Sequence, residues 1–178
     1  MRMSAAYTFM RQIPVYASAD VIVVGGGPAG TAAAIGAARC GKKVILLEKS
    51  GQLGGMGTLG NVSIFMPIGN VTGIYREFIA EMLNTALPPG HDGSIAPQFS
   101  PFILRQYLNE KMRKEGVQTF FHAEFVGTVA SEGKVEAVIV STREGLQAIQ
   151  GLRFIDCTGD ARMAIELGVP FTSGRDSD

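Results

Sequence analysis

Residues 20–49 read DVIVVGGGPAGTAAAIGAARCGKKVILLEK, and the order of the parts in this stretch decides the fold. An apolar run at 21–24 leads into a glycine-rich turn, an alanine-rich segment, a second apolar run at 44–47 and then an acid, Glu48. A short run of β-branched residues suits a parallel strand buried on both faces. Gly25, Gly27 and Gly30 fit the G-x-G-x-x-G pattern. The first glycine permits a tight turn, the second lets a pyrophosphate approach the backbone, and the third lets the helix lie close to the strand. Pro28 falls at the helix start, where a missing N–H is no loss. Ala29, Ala32, Ala33, Ala34, Ala37 and Ala38 keep the helix slim, and Gly41 is a natural stop. The leading N–H groups and the helix dipole suit a diphosphate. Glu48 lies eighteen residues after Gly30, where a carboxylate can accept hydrogen bonds from both ribose hydroxyls. With strand, helix and acid all in place, this is a βαβ nucleotide-binding unit rather than an incidental glycine turn. The acid also disfavours an NADP 2′-phosphate, because two negative charges would face each other.

Outside this unit the composition sets limits. Residues 1–19 form an N-terminal extension without the apolar core of about 7 to 15 residues that an export signal needs, and residues 13–16 read as a short edge strand. No apolar run reaches the ~18 residues needed to span a membrane, so a soluble, cytoplasmic protein is expected. Sixteen basic residues balance sixteen acidic ones without a basic cluster, which argues against a nucleic-acid partner. A length of 178 residues with 46% hydrophobic content suffices for one domain with a core. Cys40 and Cys157 are far apart and form no C-x-x-C pair, so both read as small buried hydrophobes. His91 and His122 are isolated, and no metal site is expected.

The segment that follows Glu48 is KSGQLGGMGTLG, with five glycines in residues 51–60. So little side chain leaves the backbone itself to approach a ligand. Leu53, Met56, Thr58 and Leu59 interrupt the glycines with groups able to wall an aromatic ring; the alternative is a flexible linker.

Together GGGPAG, the strand ending LLEK, and LGGMGT resemble the FAD-dependent oxidoreductases of the two-dinucleotide-binding-domain type, of which glutathione reductase is a member. Within that group the chain is most similar to the bacterial family known simply as FAD-dependent oxidoreductase. The resemblance implies FAD as cofactor. It assigns the diphosphate to Gly25, Gly27, Pro28, Ala29 and Gly30, and the adenosine ribose to Glu48 with Lys49 beside it. It also sends Gly54, Gly55, Met56 and Thr58 past the diphosphate toward the flavin.

Further along, Ile74, Phe78, Ile79, Met82 and Leu83 recur at helical spacing over 74–86, with Glu77 and Glu81 on the other side. Residues 87–100 read as a loop. Ser100 and Pro101 start a second helix, carried by Phe102, Ile103, Tyr107, Leu108 and Met112 to Gly116. Residues 117–122 form the third strand of a doubly wound sheet. The alternation at 125–130, 134–142 and 146–150 then favours an antiparallel meander over a crossover helix, as the resemblance also implies. In the family a residue just after the third strand touches adenine through its backbone. Val126 stands at that place here, or is an ordinary strand residue. The final motif, RFIDCTGDA at 153–161, runs a strand into Thr158, Gly159 and Asp160 and then a short helix. It resembles the family's A-T-G-D, with Cys157 in place of alanine, which sets a thiol near the flavin. Asp160 reads equally as a helix cap or a cofactor contact.

The expected fold is therefore α/β, a Rossmann-like FAD/NAD(P)-binding fold. A parallel sheet carries helices on one face and an antiparallel three-stranded meander on the other, with ligand at the carboxyl ends of the strands. Residues 20–178 form the FAD-binding domain. The resemblance covers only the front portion of a family member, so a fragment, or a second chain supplying the substrate domain, is expected. The function implied is the FAD-binding portion of a flavin-dependent oxidoreductase acting on a small molecule. The alternatives are a truncated or non-catalytic nucleotide-binding module, or an NAD-binding domain, which Glu48 allows and the GGMGT loop disfavours. No catalytic acid, base or substrate clamp is identifiable.

Overall fold

The computed structural model describes residues 10–65, 72–83 and 98–174. Strand β1 (Val15–Val24) leads into helix α1 (Pro28–Arg39) and strand β2 (Val44–Leu47), and a 3₁₀ turn follows at Gly55–Gly57. Helices α2 (Ile74–Leu83) and α3 (Pro101–Lys114) precede strands β3 (Gln118–Phe120), β4 (Glu124–Ser131), β5 (Lys134–Thr142) and β6 (Gly145–Asp156), and the short helix α4 (Arg162–Glu166) comes last. The sheet order is β3-β2-β1-β6-β5-β4. The first four strands are parallel, and β6, β5 and β4 pair antiparallel.

Side chains alternate along a strand, and here both faces are buried. Val21, Val23, Val44 and Leu46 meet Ala34 and Ile35 of α1 and Leu104, Leu108 and Met112 of α3. Their neighbours Ile22, Val24, Ile45 and Leu47 meet Phe125, Val138, Val140 and Ile149 of the meander. Each such fully buried side chain contributes roughly 1.5–3 kcal/mol. Helices thus cover one face of the parallel sheet and the meander covers the other.

Four local expectations change. The strand expected at 13–16 is the outer part of β1, which pairs with β6 from Val15 and Ala148 onward. The strands expected at 146–150 and 153–157 are one, β6. Its first half pairs with β5 and its length from Ala148 pairs with β1. Gly151 marks no break between them: a Cβ there would stand 2.6 Å from the Ile22 side chain, so the glycine serves a close crossing. On α3 Leu104, 3% exposed, joins the expected Leu108 and Met112 on the inner face, whereas Phe102 and Ile103 are 56% and 49% exposed. Cys40 is exposed at the end of α1 rather than buried, because it is already the helix C-cap. The continuation of α2 toward residue 86, most of the 87–100 loop, and His91 lie outside the described residues.

An ion cluster ties the helices together. Arg39 of α1 donates to Glu77 of α2 at 2.6 and 2.7 Å and to Glu115 after α3 at 2.6 Å. Lys111, buried on α3, pairs with Glu77 and, at 2.9 Å, with Glu81. Glu81 also accepts from the Tyr107 hydroxyl at 2.9 Å. Hydrogen bonding to Arg39 is the main cause that holds the Glu77 carboxyl at about 2, from an ordinary 4.5.

Two predictions follow from these contacts. A Cβ on Gly30 would overlap the Gly25 carbonyl oxygen, whereas one on Gly36 in the same helix would meet nothing within 4 Å. In urea melts, Gly30→Ala should lose about 3 kcal/mol through overpacking, while Gly36→Ala should gain up to ~1 kcal/mol of helix propensity. A neutral Gly30→Ala would contradict the crossing. For the ion cluster, the lowered Glu77 pKa means its stabilisation is present above about 4.5 and lost as pH falls through 4.5 toward about 2. Glu77→Gln should therefore cost about 1 kcal/mol at neutral pH, in keeping with its part exposure. Thermal melts of Glu77→Gln should converge on the wild type across that acid window.

Candidate functional site

The carboxyl ends of the parallel strands are drawn together by backbone hydrogen bonds. Gly25 N–H donates to Leu47 O, Glu48 N–H to Phe120 O, Ala123 N–H to Glu48 O, and Cys157 N–H to Val24 O, at 2.8 to 3.0 Å. Over these ends opens a cleft of about 680 Å³, within the roughly 300–1,000 Å³ of small-molecule sites. Its floor is the first βα turn, Gly25 to Ala29. Glu48 and Lys49, Gly55 and Met56, Ala123 to Phe125 and residues 156–162 complete its lining, the last two segments adjoining where Arg162 lies over Phe125.

The turn is shaped by what it must pass. Gly25 has φ +106°, and a Cβ on it would overlap the Cys157 carbonyl oxygen. Gly27 differs: as N-cap of α1 its φ is an ordinary −71°, and a Cβ there would meet no protein atom within 4 Å. Its bareness keeps open the space in front of the α1 N-terminus, which has no side-chain cap and no acid in its first turn. Such a helix end favours an anion. Gly30 sits buried beneath the turn rather than on the cleft.

Glu48 is 6% exposed. Gly26 N–H donates to its Oε2 and Ser50 N–H to its Oε1, each at 2.7 Å. Two backbone donors stabilise the charge, and the remaining acceptor sites of the carboxylate serve the cleft it lines. Next to it, Gly54 N–H donates to Gly26 O at 2.8 Å, and the Thr58 hydroxyl donates to Leu53 O at 2.6 Å. Gly54 and Thr58 therefore hold the glycine loop from behind, outside the cleft lining. The cleft-side edge is left to Gly55 and to Met56, 63% exposed.

At the β6 end the cap role falls to Asp156, not Asp160. Asp156 Oδ1 accepts from the Thr158 N–H and hydroxyl at 3.0 and 2.8 Å, and Oδ2 accepts from Met163 N–H and Ala164 N–H at 3.0 Å. Burial pushes its pKa up, but these donors outweigh it and hold the carboxyl below its ordinary range. The N-cap position of α4 is Ala161, without a side-chain bond. Asp160 is exposed and lines the cleft with Thr158 and Gly159. Cys157 also lines it, half-buried. Burial and the nearby Asp156 charge push its thiol pKa up, which keeps it protonated rather than nucleophilic.

Of the sequence-derived candidates, the cleft brings together Gly25, Gly27, Pro28, Ala29, Glu48, Lys49, Gly55, Met56, Thr158, Gly159 and Asp160. Val126 lies outside the lining with its side chain 49% exposed, since strand alternation turns it away from the buried Phe125. Among the lining residues not foreseen are Gly26, Glu124, Phe125, Asp156 and Arg162. Only Asp156 had a local signal, an acid two residues before a threonine, the pattern of a side chain closing a turn. Among the described residues no three His, Cys, Asp or Glu side chains are placed to hold a metal ion, and no helix is long and apolar enough to cross a membrane.

Residues 20–178 match the family described as FAD dependent oxidoreductase. Dihydrolipoyl dehydrogenase from Trypanosoma brucei brucei is 53% identical over 47 residues, 26% of this chain and 10% of that protein. Urocanate reductase from Eggerthella lenta is 52% identical over 48 residues, 27% of this chain and 8% of that protein. The matches therefore span a tenth or less of these relatives' length. A geranylgeranyl bacteriochlorophyll reductase-like protein from Thermoplasma acidophilum superposes with TM-score 0.61 at 18% identity, over 87% of this chain and 44% of that one. A 3-ketosteroid dehydrogenase from Rhodococcus jostii does so with TM-score 0.57 at 19% identity, over 80% and 46%. These two show the fold. The chain belongs to the FAD dependent oxidoreductase family, and its cofactor is FAD.

Proposed function

We propose that this chain is the cofactor-holding portion of a cytoplasmic flavoenzyme that oxidises or reduces a small molecule, the substrate-facing part being supplied by further protein. The observation that carries the reading is the pairing of an open glycine at the α1 N-cap with a buried acid at the end of β2. The first leaves room for a diphosphate and the second offers acceptors to a ribose. The match to part of each relative's length supports a division of labour in which substrate recognition lies elsewhere. Balanced charge supports a small-molecule partner over nucleic acid.

When bound, FAD supplies hydride or electron transfer, and the protein binds, orients and shields it. Here Gly27, with the leading N–H groups of α1, is the diphosphate cradle. Glu48 is the ribose acceptor. Gly55 and Met56 form the edge that continues from it, and Thr158 to Asp160 the opposite lip.

The purified chain mixed with FAD should retain flavin near one equivalent after gel filtration, identified by its absorbance and by release on denaturation. Gly27→Ala should keep the wild-type melting curve yet weaken FAD at least about tenfold, ~1.4 kcal/mol. Unchanged affinity would remove Gly27 from the site. A chain that takes up NADH and carries no flavin would overturn the cofactor assignment; one that takes up neither would be a folded module without its own nucleotide site. Glu48→Gln should behave differently from Gly27→Ala. Its NH₂ cannot accept from both Gly26 and Ser50, so it should lose about 1–3 kcal/mol of stability as well as FAD affinity. Wild-type stability in Glu48→Gln would show that the two amide bonds do not support the fold.

A further inference from the structure

The cleft is poor in positive charge. Among its described lining residues, Glu48, Glu124, Asp156 and Asp160 face only two cations, Lys49 and Arg162. Glu48 and Asp156 are already held by backbone donors. FAD adds the negative charge of its diphosphate, so a cation in the wall decides how well it is tolerated. Arg162 is the one with a defined seat. Its guanidinium lies over the Phe125 ring, 5.8 Å from the centroid, and Nη1 reaches Glu124 Oε1 at 3.5 Å. The pair is half-exposed, 44% and 55%, so its attraction is weak.

The wall does not need that pair. Helix α4 is fastened to the meander by Glu166 Oε1, which accepts from Thr128 N–H at 3.1 Å, and by Met163, buried against the meander core. Its first turn is held by Asp156. The Arg162 side chain is thus a spare part structurally. It is a planar group with five donors, of which one makes a bond at the limit of length. Guanidinium groups suit phosphate and stack on aromatic planes.

We infer that Arg162 is the residue by which the cleft selects a dinucleotide: it gives up Glu124 and engages the ADP half of FAD. The inference rests on the FAD reading above. It makes Arg162 a binding residue for the cofactor and Glu124 its competitor, which masks the charge while the cleft holds no anion.

Isothermal titration of the full 178-residue chain with FAD, ADP and FMN tests this, using wild type, Arg162→Gln and Glu124→Gln. Arg162→Gln should weaken FAD and ADP at least tenfold, flatten the salt dependence of both, and leave FMN unchanged. Glu124→Gln removes the same ion pair but frees the guanidinium, so FAD should bind as tightly as to wild type or several-fold tighter. Wild-type FAD and ADP affinity in Arg162→Gln would overturn the inference and leave the cofactor assignment standing. Wild-type protein that binds no FAD would overturn both. Equal weakening in Glu124→Gln and Arg162→Gln would show the pair to be structural and overturn the role of Arg162. If Arg162→Gln melts well below wild type, Arg162→Lys decides: ADP weakened several-fold supports the planar contact, and wild-type ADP affinity overturns it.

Discussion

Everything in this molecule depends on one backbone crossing, where the first βα turn passes between the end of β6 and the start of α1. Gly25 faces the Cys157 carbonyl, and Gly30 faces the Gly25 carbonyl, each so closely that no side chain fits. Because the turn can be that tight, α1 begins directly above the end of β1. Ala34 and Ile35 then reach Val21, Val23, Val44 and Leu46. A bulkier turn would lift the helix off the sheet, open that core, and move the helix N-terminus away from the strand ends. The packing of the core and the shape of the cleft therefore share one geometric requirement.

The parts of the fold that were legible in the sequence are those fixed by neighbours in the chain. The βαβ unit is local in this sense: apolar runs, glycine spacing, proline at the helix start and acid at the strand end all act within thirty residues. The meander likewise shows in alternation and turns. What stayed hidden depends on partners distant in sequence. That β6 is one strand follows from pairing β5 with its first half and β1 with most of its length, and Gly151 looks like a break until Ile22 is seen against it. On α3, Leu108 and Met112 are buried as read, but Phe102 and Ile103 stand outward and Leu104 inward, because all three are apolar and only the fold says which way the helix is turned.

The site shows the same division. The placement of Gly25, Gly27 and Glu48 on the cleft was visible because it comes from backbone shape and from position along the strand. Asp156 was hidden by Asp160: both flank the T-G step, and the nearer one to the helix looks like the cap. The structure reverses this, because the turn at Thr158 to Ala161 folds back and brings the amides of Met163 and Ala164 over Asp156. Asp160 is released to the lip. Glu124, Phe125 and Arg162 carry no motif, being brought together only when α4 lies down on β4.

Two acids of the cleft, the buried Glu48 and the half-buried Asp156, are answered mainly by main-chain N–H groups, with the Thr158 hydroxyl as the one side-chain donor. A buried carboxylate needs such donors to stay charged. Supplying them from the main chain fixes two sides of the cleft with the same bonds that fix the fold. The β2 side is held by Gly26 and Ser50, and the β6 side by Met163 and Ala164. Both sides are thus set before any cofactor arrives, and the cleft is shaped independently of the exposed side chains along its rim. Those rim side chains, Lys49, Met56, Asp160 and Arg162, are left to adjust to what binds. A scaffold arranged this way fixes the shape of its cleft through the main chain and leaves the chemistry of its rim free to vary.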